Sequence, residues 1–424
     1  MATELNRIRV TKDNRDGKYC NLIGNVNTER LKRKLQAASQ KKAAGVDGVT
    51  KLIYQEKLEE NLALLVSRMK ARSYRPQAVR RVLIPKPGSD KMRPLGIPTL
   101  EDKLVQGIMA DILDEIYEPL FMECSYGFRR GRSAHQAVKR VRNDILRKKV
   151  NYVVDVDIKG FFDNMNHDWI MKFLAHEIKD KMFLRYIKRF LIAGVMENTT
   201  MSESDKGSPQ GGLISPAIGN VYLHYVVDLW FEKVMKKGLK GYASMTRYAD
   251  DIVWMFQYKS EAKAFAGALK IRLAKFSLEL SEEKSRIMEF GRFAKERQTF
   301  DFLGFTFING RRKKDSKYTV ILRTSKKKLK QKRIAVNQWL KEHMHDKPAE
   351  TIRKLGIKLV GHYRYYGVTG NYIAIAKFLR YAQNRLKHWL SRRGQKRRMN
   401  WYRFNKLLKY NPLPAARIYV NMVT

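Results

Sequence analysis

Residues Arg247–Phe256 read RYADDIVWMF, and this stretch decides the fold. Apolar and β-branched residues on both sides of an Asp-Asp pair predict two strands that meet at a tight turn, with Asp250 and Asp251 at the turn. The run YVVDVDI at Tyr152–Ile158 predicts a buried strand that carries Asp157. An Asp-Asp pair at a turn is often only solvent-exposed turn chemistry. These acids, however, lie in the most apolar, β-prone runs of the chain, where an uncompensated carboxylate is costly.

The acidic sites therefore require a compensating charge, and divalent cations supply it for clustered carboxylates. Hard oxygen ligands without His or Cys nearby suit Mg²⁺. We predict two Mg²⁺ ions, with Mn²⁺ able to substitute, held by Asp157, Asp250 and Asp251 as the catalytic residues. Two such ions can activate a primer 3′-hydroxyl and hold the leaving pyrophosphate during an in-line displacement.

Positive charge dominates the composition. The 424 residues, a length that predicts two to four compact units, include 86 Lys and Arg against 41 Asp and Glu, for a formal net charge of +45. Such an excess predicts a large polyanionic partner, either nucleic acid or a membrane surface. Residues 311–424 contain 31 Lys and Arg but only 4 Asp and Glu, and so carry +27 of that charge. The asymmetry predicts an acid-bearing catalytic body followed by a basic clamp.

Several classes of protein are disfavoured by the sequence. The longest apolar stretch, near Ser215–Phe231, is interrupted by Asn220, His224 and Asp228, so we do not expect it to span a bilayer. The first residues lack the apolar segment of a secretion signal. Two cysteines, distant in sequence, are too few for a zinc ribbon or a Cys-based nuclease finger. We therefore predict a cytoplasmic protein that binds nucleic acid and no membrane.

The order of helical and strand patterns predicts an α+β body with an all-helical appendage. Apolar spacing of the helical kind alternates with short β-prone runs through the first three quarters of the chain. Helices are expected over Thr28–Ala44, Lys51–Arg72, Leu100–Leu120, Glu261–Phe276 and Ser325 to about Arg392, with two more after His167 and Pro216; strands are expected over Arg80–Ile84 and, as a pair, within Phe300–Ile308.

Seven blocks of sequence occur in one order over more than 200 residues, and together they resemble the reverse transcriptases encoded in group II introns. A lone YxDD motif is a weak signal, whereas seven blocks in the right order are a strong one. The acidic blocks match the family's two catalytic motifs, with Asp157 as the metal ligand of the first; Asp155 and Asp163 fit that position less well, and a polar strand face or a helix cap is favoured for them. The other blocks are RRVLIPKPGSDKMRPLGIPT (Arg80–Thr99), YGFRRGRSAHQAV (Tyr126–Val138), GSPQGGLISP (Gly207–Pro216), LSEEKS (Leu280–Ser285) and FDFLGF (Phe300–Phe305).

The resemblance implies the fold of a right-hand polymerase. Its fingers and its palm, which contains an antiparallel sheet, are followed by an α-helical thumb and a short basic tail. The implied division is an RNA-binding N-terminal extension at residues 1–75, fingers and palm at 76–310, a helical thumb (the maturase X domain) at 311–390 and a basic DNA-binding segment at 391–424.

The resemblance also implies a deoxynucleotide site. Lys86 and Arg93, with help from Arg80, would grip the triphosphate, although a solvated hairpin is the alternative. Phe162 would lie under the sugar and exclude a 2′-hydroxyl; core packing competes, because the adjacent Phe161 is equally bulky and only one ring can face the sugar. Gln210 would lie near the nascent base pair.

Further residues are implied at the leaving group and along the primer and template. Lys284 would lie near the pyrophosphate as a candidate general acid, and a surface lysine is an equal alternative. Phe302, Leu303 and Gly304 resemble the primer-gripping hairpin, with an ordinary sheet edge as the alternative. Gly211 would let the backbone approach the template.

The leading functional hypothesis is an RNA-directed DNA polymerase that is also a maturase. It would bind its group II intron RNA, assist splicing and copy the RNA into DNA from a DNA primer, using dNTPs, in a bacterial or archaeal cytoplasm. Without the endonuclease domain of some relatives, it would use an existing 3′ end. The alternatives are a maturase that acts mainly as an RNA-binding protein, a reverse transcriptase repurposed for host defence and, more remotely, an RNA-dependent RNA polymerase.

Overall fold

Four β-sheets and fifteen α-helices make up the part of the chain that the computed structural model describes. Those residues are 10–13, 15–85, 92–197, 200–202, 206–207, 211–296, 298–312, 315–393 and 399–423. Of the predicted site residues, Lys86 and Gln210 lie outside them, and Arg93 is described by its backbone alone.

The N-terminal half contains β1 (Thr11–Lys12), β2 (Tyr19–Cys20), α1 (Thr28–Ala37), α2 (Lys51–Glu56), α3 (Leu58–Lys70), β3 (Val79–Pro85), β4 (Met92–Ile97), α4 (Leu100–Tyr117), α5 (Ala134–Arg147), β5 (Tyr152–Asp157), α6 (Phe161–Asn164), α7 (His167–Glu177), α8 (Lys181–Ile192), β6 (Val195–Glu197) and β7 (Thr200–Ser202).

The C-terminal half contains α9 (Ser215–Leu223), a π-helical turn (His224–Asp228), α10 (Leu229–Lys233), β8 (Ala243–Tyr248), β9 (Asp251–Phe256), α11 (Lys259–Lys275), β10 (Arg286–Glu289), β11 (Thr299–Phe302), β12 (Phe305–Arg311), β13 (Tyr318–Thr324), α12 (Lys326–Glu342), α13 (Pro348–Tyr366), α14 (Tyr372–Ser391) and α15 (Trp401–Tyr410).

The palm sheet has the strand order β10-β5-β9-β8, and every neighbouring pair is antiparallel. Its residues alternate between two cores, as the period of a strand requires. Val154, Ile252 and Trp254 belong to a core shared with the N-terminal helices and with α7, α8, α9 and α11. Val153 and Val253 belong to a second core, shared with α5, β11–β13 and the C-terminal helices. The palm sheet is therefore covered by packed side chains on both faces.

The fingers sheet has the order β4-β3-β6-β7, in which β3 and β6 are parallel and the other two pairs are antiparallel. Asn27 and Thr99 cap α1 and α4 through side-chain oxygens that accept backbone N–H groups, which fixes where both helices begin. The hydrophobic side chains of α1, α3 and α4 join the first core. The N-terminal segment is thus packed against the fingers and palm.

The three-stranded sheet β11-β12-β13 leads into the helical thumb. Ser325 caps α12, as the predicted helix start requires. β12 and β13 pair continuously from Phe305↔Thr324 to Arg311↔Tyr318, so this sheet crosses the boundary predicted between residues 310 and 311. The helices α12–α14 that follow are all in the second core.

The α+β prediction is confirmed, and its errors are local. The helix predicted over Thr28–Ala44 ends at Ala37, where Ala38 is extended. The one predicted over Lys51–Arg72 is broken at Lys57, which is not helical, into α2 and α3. Among the described residues, none of the helices is long and apolar enough to cross a membrane.

Candidate active site

A two-residue hairpin loop presents the acidic pair. Tyr248 pairs with Asp251, which leaves Ala249 and Asp250 as the loop. Ala249 has φ 56°, a value that glycine adopts far more readily. Gly127 lies against this loop so closely that a Cβ there would be 2.3 Å from the Ala249 nitrogen. Residue 127 must therefore be glycine if the hairpin is to keep this position.

The register of β5 against β9 brings the two acidic sites together. Asp157 is directly opposite Asp251, and Asp155 is opposite Val253. Because paired residues share a face, and positions two apart on a strand do too, Asp155, Asp157 and Asp251 lie on one face of the palm sheet. Sequence reasoning assigned Asp155 to a polar strand face and did not connect it to Asp251. The two-residue spacing in VVDVD was the available signal.

The carboxyl groups on this face repel one another. Burial raises the pKa of Asp251 to about 7, and the carboxylates of Asp155, Asp250 and Asp157 add to the rise, while the Leu303 N–H opposes it. Burial likewise raises the pKa of Asp155 to about 6, with Asp157 adding to the rise and Arg286 opposing it. Negative charge is thus concentrated on this face of the sheet. Because Asp155 and Asp251 are buried there, their ionised forms are unfavourable unless a cation is bound.

Lys284 provides part of the compensating charge. Its Nζ atom is 2.6 Å from Oδ2 of Asp157, and both side chains are about half exposed or more (67% and 49%). Lys284 reaches Asp157 because Ser281 N–H donates to the Asp157 carbonyl and anchors the preceding loop beside β5. The predicted basic residue therefore lies at the acidic site and contacts one of the predicted metal ligands.

The donor set fits magnesium ions that are completed by a substrate. Within the described ranges, no three acidic, His or Cys side chains converge into a ready-made metal cage. Mg²⁺ is commonly held by one or two carboxylates together with substrate phosphates and water, rather than by an all-protein cage. Asp157 and Asp251, opposite each other, with Asp250 in the adjoining loop, match that mode of binding.

The hairpin between β11 and β12 contacts the acidic site. Phe302 pairs with Phe305, so Leu303 and Gly304 form its loop, with φ 50° and 77°, the signs of a type I′ turn. The Leu303 N–H donates to the Asp251 carboxyl group, and the Leu303 carbonyl accepts from the Tyr365 hydroxyl at 3.0 Å. The predicted primer-gripping residues thus link the acidic site to the thumb.

A cavity of about 820 Å³ lies between this hairpin and the thumb. Asp251 and Gly304 are on its palm side, and Lys328, Lys332 and Trp339 are among the thumb residues that line it. The cavity therefore combines cationic and aromatic side chains, which suit the phosphates and bases of nucleic acid.

Two adjacent phenylalanines on α6 are in different environments. Phe161 is buried in the first core, whereas Phe162 is only partly buried. Both rings pack against Gly219 of α9, where a Cβ would be 3.0 Å from a Phe162 ring atom. Of the two candidates for the sugar position, Phe161 is buried in the first core, whereas Phe162 packs against that core and stays partly exposed.

Arg80 and Gly211, two of the residues predicted to contact substrate, lie in and against the fingers sheet. Arg80 donates through Nε and Nη2 to the Ala44 carbonyl, at 3.2 and 2.9 Å, so this conformation ties it to the N-terminal segment. Gly211 has φ 117°, and a Cβ there would be 2.2 Å from the Gly96 carbonyl oxygen of β4. The loop before α9 and the fingers sheet thus meet at two glycines. The triphosphate roles of Lys86, Arg93 and Arg80 stay predictions.

The sequence that forms this site matches a known protein family. A family model described as "Reverse transcriptase (RNA-dependent DNA polymerase)" matches residues 84–307, more than half of the chain. The chain belongs to the reverse transcriptase family. The match includes β5, the β8–β9 hairpin and the β11–β12 hairpin, so the fold and family implied by the seven blocks are confirmed, including the right-hand arrangement with a helical C-terminal region.

Several relatives of this reverse transcriptase are intron-encoded. It is 41% identical over 178 residues to "Group II intron-encoded protein LtrA" of Lactococcus lactis subsp. cremoris, which covers 42% of this chain and 29% of LtrA. It is 32% identical over 266 residues to "Protein YkfC" of Escherichia coli (strain K12), covering 54% of this chain and 70% of YkfC. A third, "Putative COX1/OXI3 intron 1 protein" of Saccharomyces cerevisiae, is 35% identical over 197 residues, 46% of this chain and 22% of that protein. The chain matches less than a third of LtrA.

Proposed function

We propose that this reverse transcriptase is an RNA-directed DNA polymerase that transfers nucleotides with the help of two metal ions. The pairing of Asp157 directly opposite Asp251, with Asp250 in the adjoining loop, carries the proposal. These three residues are the proposed metal ligands, and Asp155 contributes further negative charge on the same face. The ions are Mg²⁺, with Mn²⁺ as a substitute.

Asp157, Asp250 and Asp251 would hold the two ions, which would supply activation of the primer 3′-hydroxyl and neutralisation of charge on the departing pyrophosphate. The chain's own residues position the reactants. The Leu303 N–H holds the Asp251 carboxyl group, and the partly exposed ring of Phe162 closes the space that a ribose 2′-hydroxyl would need. Lys284 is proposed to donate the proton of its Nζ to the pyrophosphate, which requires it to leave Asp157 as the substrate arrives.

Template and primer are proposed to lie in the cleft between the β11–β12 hairpin and the thumb. The lysines and aromatic rings of the cavity support this placement, and so does the charge of +27 on residues 311–424. In the fingers, Lys86, Arg93 and Arg80 are proposed to bind the triphosphate, with Gln210 and Gly211 near the base pair. Phe302, Leu303 and Gly304 would hold the primer end.

The RNA partner is proposed to be a group II intron. Relatives named as intron-encoded proteins, with the basic C-terminal region, support a second role as a maturase that assists splicing and then copies the intron from a DNA primer at its target. Residues 1–75 and 311–390 would bind the intron RNA, and residues 391–424 the DNA. The cytoplasm of a bacterial or archaeal cell is the proposed location.

Primer extension on an RNA template with dNTPs and Mg²⁺ tests the proposal, with wild type compared with Asp250→Ala. Full-length cDNA from the wild type alone is expected. A folded wild type that binds RNA but synthesises no DNA would contradict the polymerase and leave the maturase as an RNA-binding protein. Full-length product from Asp250→Ala would instead contradict the assigned metal site.

A further inference from the structure

A fully buried ion pair lies directly behind the catalytic hairpin. Arg247, the residue before Tyr248 in β8, and Asp228 each have no solvent exposure. Arg247 donates to Asp228 in a bidentate manner, with Nε to Oδ1 at 2.8 Å and Nη2 to Oδ2 at 2.6 Å. A buried ion pair seldom stabilises a fold more than well-packed apolar side chains in its place would. Stability alone therefore does not explain this pair.

The remaining donor of Arg247 reaches the turn that carries Asp250. Its Nη1 atom donates to the Ala249 carbonyl oxygen at 3.2 Å and to Oδ1 of Asn220 at 2.9 Å. Asn220 in turn donates from Nδ2 to the Gly127 carbonyl at 2.8 Å. The network therefore contacts the loop directly, and it also holds the glycine that lies against the loop.

The turn needs such support because its geometry is unfavourable for its sequence. Ala249 has φ 56°, a left-handed conformation that costs a residue with a Cβ about 1–2 kcal/mol. A different turn would carry the Asp250 carboxyl group elsewhere. The Ala249 carbonyl accepts a hydrogen bond from the Arg247 guanidinium group, and this bond fixes the carbonyl in the direction that the conformation requires.

A π-helical turn makes the network possible. Asn220 lies on α9, and Asp228 ends the π-helical segment His224–Asp228 that follows it. In a regular α-helix, residues eight apart differ by about 80° around the axis, whereas one extra residue in a π-turn reduces that to about 20°. Both side chains therefore face Arg247. The carbonyls of Tyr225 and Val226, within the π-turn, accept from Arg272, which holds this segment in place.

We propose that Arg247, Asp228 and Asn220 are positioning residues for the polymerase reaction, which fix the Ala249–Asp250 loop so that the Asp250 carboxyl group is in place to receive metal and substrate. The guanidinium group acts through the main chain of the loop. This inference rests on the proposed polymerase function. The polar residues that interrupt the apolar stretch Ser215–Phe231 thereby acquire a role, two of the three being members of the network.

Two variants separate positioning from stability. Arg247→Met combined with Asp228→Leu removes both charges and leaves no buried ion unpaired, so its Tm is expected to stay close to that of the wild type. Arg247→Lys keeps one charge-assisted contact to Asp228 but cannot reach Asn220 and Ala249 at the same time. Arg189→Met is the matched control. Arg189 lies on α8 and, like Arg247, donates to main-chain carbonyls, in this case those of Arg72 and Tyr74.

The readouts are single-turnover dNTP incorporation at saturating primer–template, its dependence on Mg²⁺ concentration, and the Kd of the same primer–template. Both Arg247 variants are expected to lose about 100-fold in rate and to need more Mg²⁺ for half-maximal rate, with the Kd little changed. Arg189→Met is expected to keep the wild-type rate and Mg²⁺ dependence. Wild-type rate and Mg²⁺ dependence in a folded Arg247→Lys or double variant would overturn the proposal.

Hydrogen exchange distinguishes failure of the network from failure of the proposed function. Amide exchange in the metal-free protein is expected to be faster across residues 247–252 in Arg247→Lys, and unchanged there in Arg189→Met. A wild type without polymerase activity would contradict the proposed function, yet the exchange result would still test the network. Unchanged exchange at the hairpin in Arg247→Lys would overturn the network's role by itself.

Discussion

Two acidic residues of the palm face, Asp155 and Asp251, lie where their ionisation opposes folding. The raised pKa values of Asp251 and Asp155 have burial as their first cause; the Asp155 carboxylate raises the pKa of Asp251 further, and the Asp157 carboxylate raises that of Asp155. Because an unfolded Asp ionises near pH 3.8, the unfolded chain loses these protons first as pH rises. The metal-free fold must therefore lose stability as pH rises from about 4 through about 7. Bound cations would remove this penalty.

Replacing Asp251 with Asn tests this electrostatic cost. In EDTA, Asp251→Asn is expected to raise Tm above the wild type by several degrees more at pH 8 than at pH 5, because the wild-type carboxylate is ionised in the fold only at the higher pH. The amide oxygen can still accept from Leu303 N–H, so this contact is preserved. Thermal unfolding at the two pH values is the measurement, and an equal gain at both would contradict it.

Phe162 gives the second prediction at this scale. Phe162→Ala is expected to lower the preference for dNTPs over rNTPs, measured as the ratio of kcat/KM values, by at least about 10-fold, because space opens for a 2′-hydroxyl. Phe161→Leu is the control. Since Phe161 is buried in the core, this variant should lower Tm and leave sugar selection intact. If Phe161→Leu lost the preference for dNTPs and Phe162→Ala kept it, Phe161 rather than Phe162 would be the residue at the sugar position.

Among the elements, those with a strong local pattern were predictable from sequence. β5 and the β8–β9 hairpin are apolar runs with one turn signal, and both were predicted. The pairing of Lys284 with Asp157, and of Arg247 with Asp228, joins residues 127 and 19 positions apart. No local pattern encodes such contacts, because strand register and a π-turn decide them. The sequence thus identified the three aspartates and Lys284 as site residues, but not the contact of Lys284 with Asp157, the pairing of Arg247 with Asp228 or the place of Asp155.

The β11–β12 hairpin gives a prediction at the scale of the element. Gly304→Ala places a Cβ 2.9 Å from the Tyr366 hydroxyl in a residue with φ 77°, so it is expected to lower stability by about 1–3 kcal/mol and to weaken primer binding. Gly267→Ala is its matched control. A Cβ at residue 267 of α11 meets nothing within 4 Å, and the change should raise stability by up to about 1 kcal/mol. Denaturant unfolding and primer–template titration measure both; equal effects would contradict the prediction.

Across the whole molecule, palm and thumb share the second core, so the arrangement of the cleft depends on packing that spans residues 126–422. The helices that supply lysines to the cleft are therefore anchored to the sheet that carries Asp157 and Asp251. A rigid connection of this kind would keep duplex and acidic site in a constant relation.

The net charge of +45 gives the prediction at this scale. RNA affinity is expected to fall by at least about 100-fold between 50 and 200 mM salt, because phosphate contacts release counterions. Fluorescence anisotropy with a labelled RNA at a series of salt concentrations measures the slope. Nearly constant affinity would contradict a mainly electrostatic interface.

The central claim, that the three aspartates form the polymerase site, is tested most directly by single-nucleotide incorporation on an RNA template by Asp157→Asn, Asp250→Asn and Asp251→Asn. The measurement pairs the rate at saturating primer–template with the Kd of that duplex. Each variant is predicted to lose at least about 1,000-fold in rate, equivalent to about 4 kcal/mol of transition-state stabilisation, while the Kd changes little. A folded variant that keeps the wild-type rate would contradict the claim.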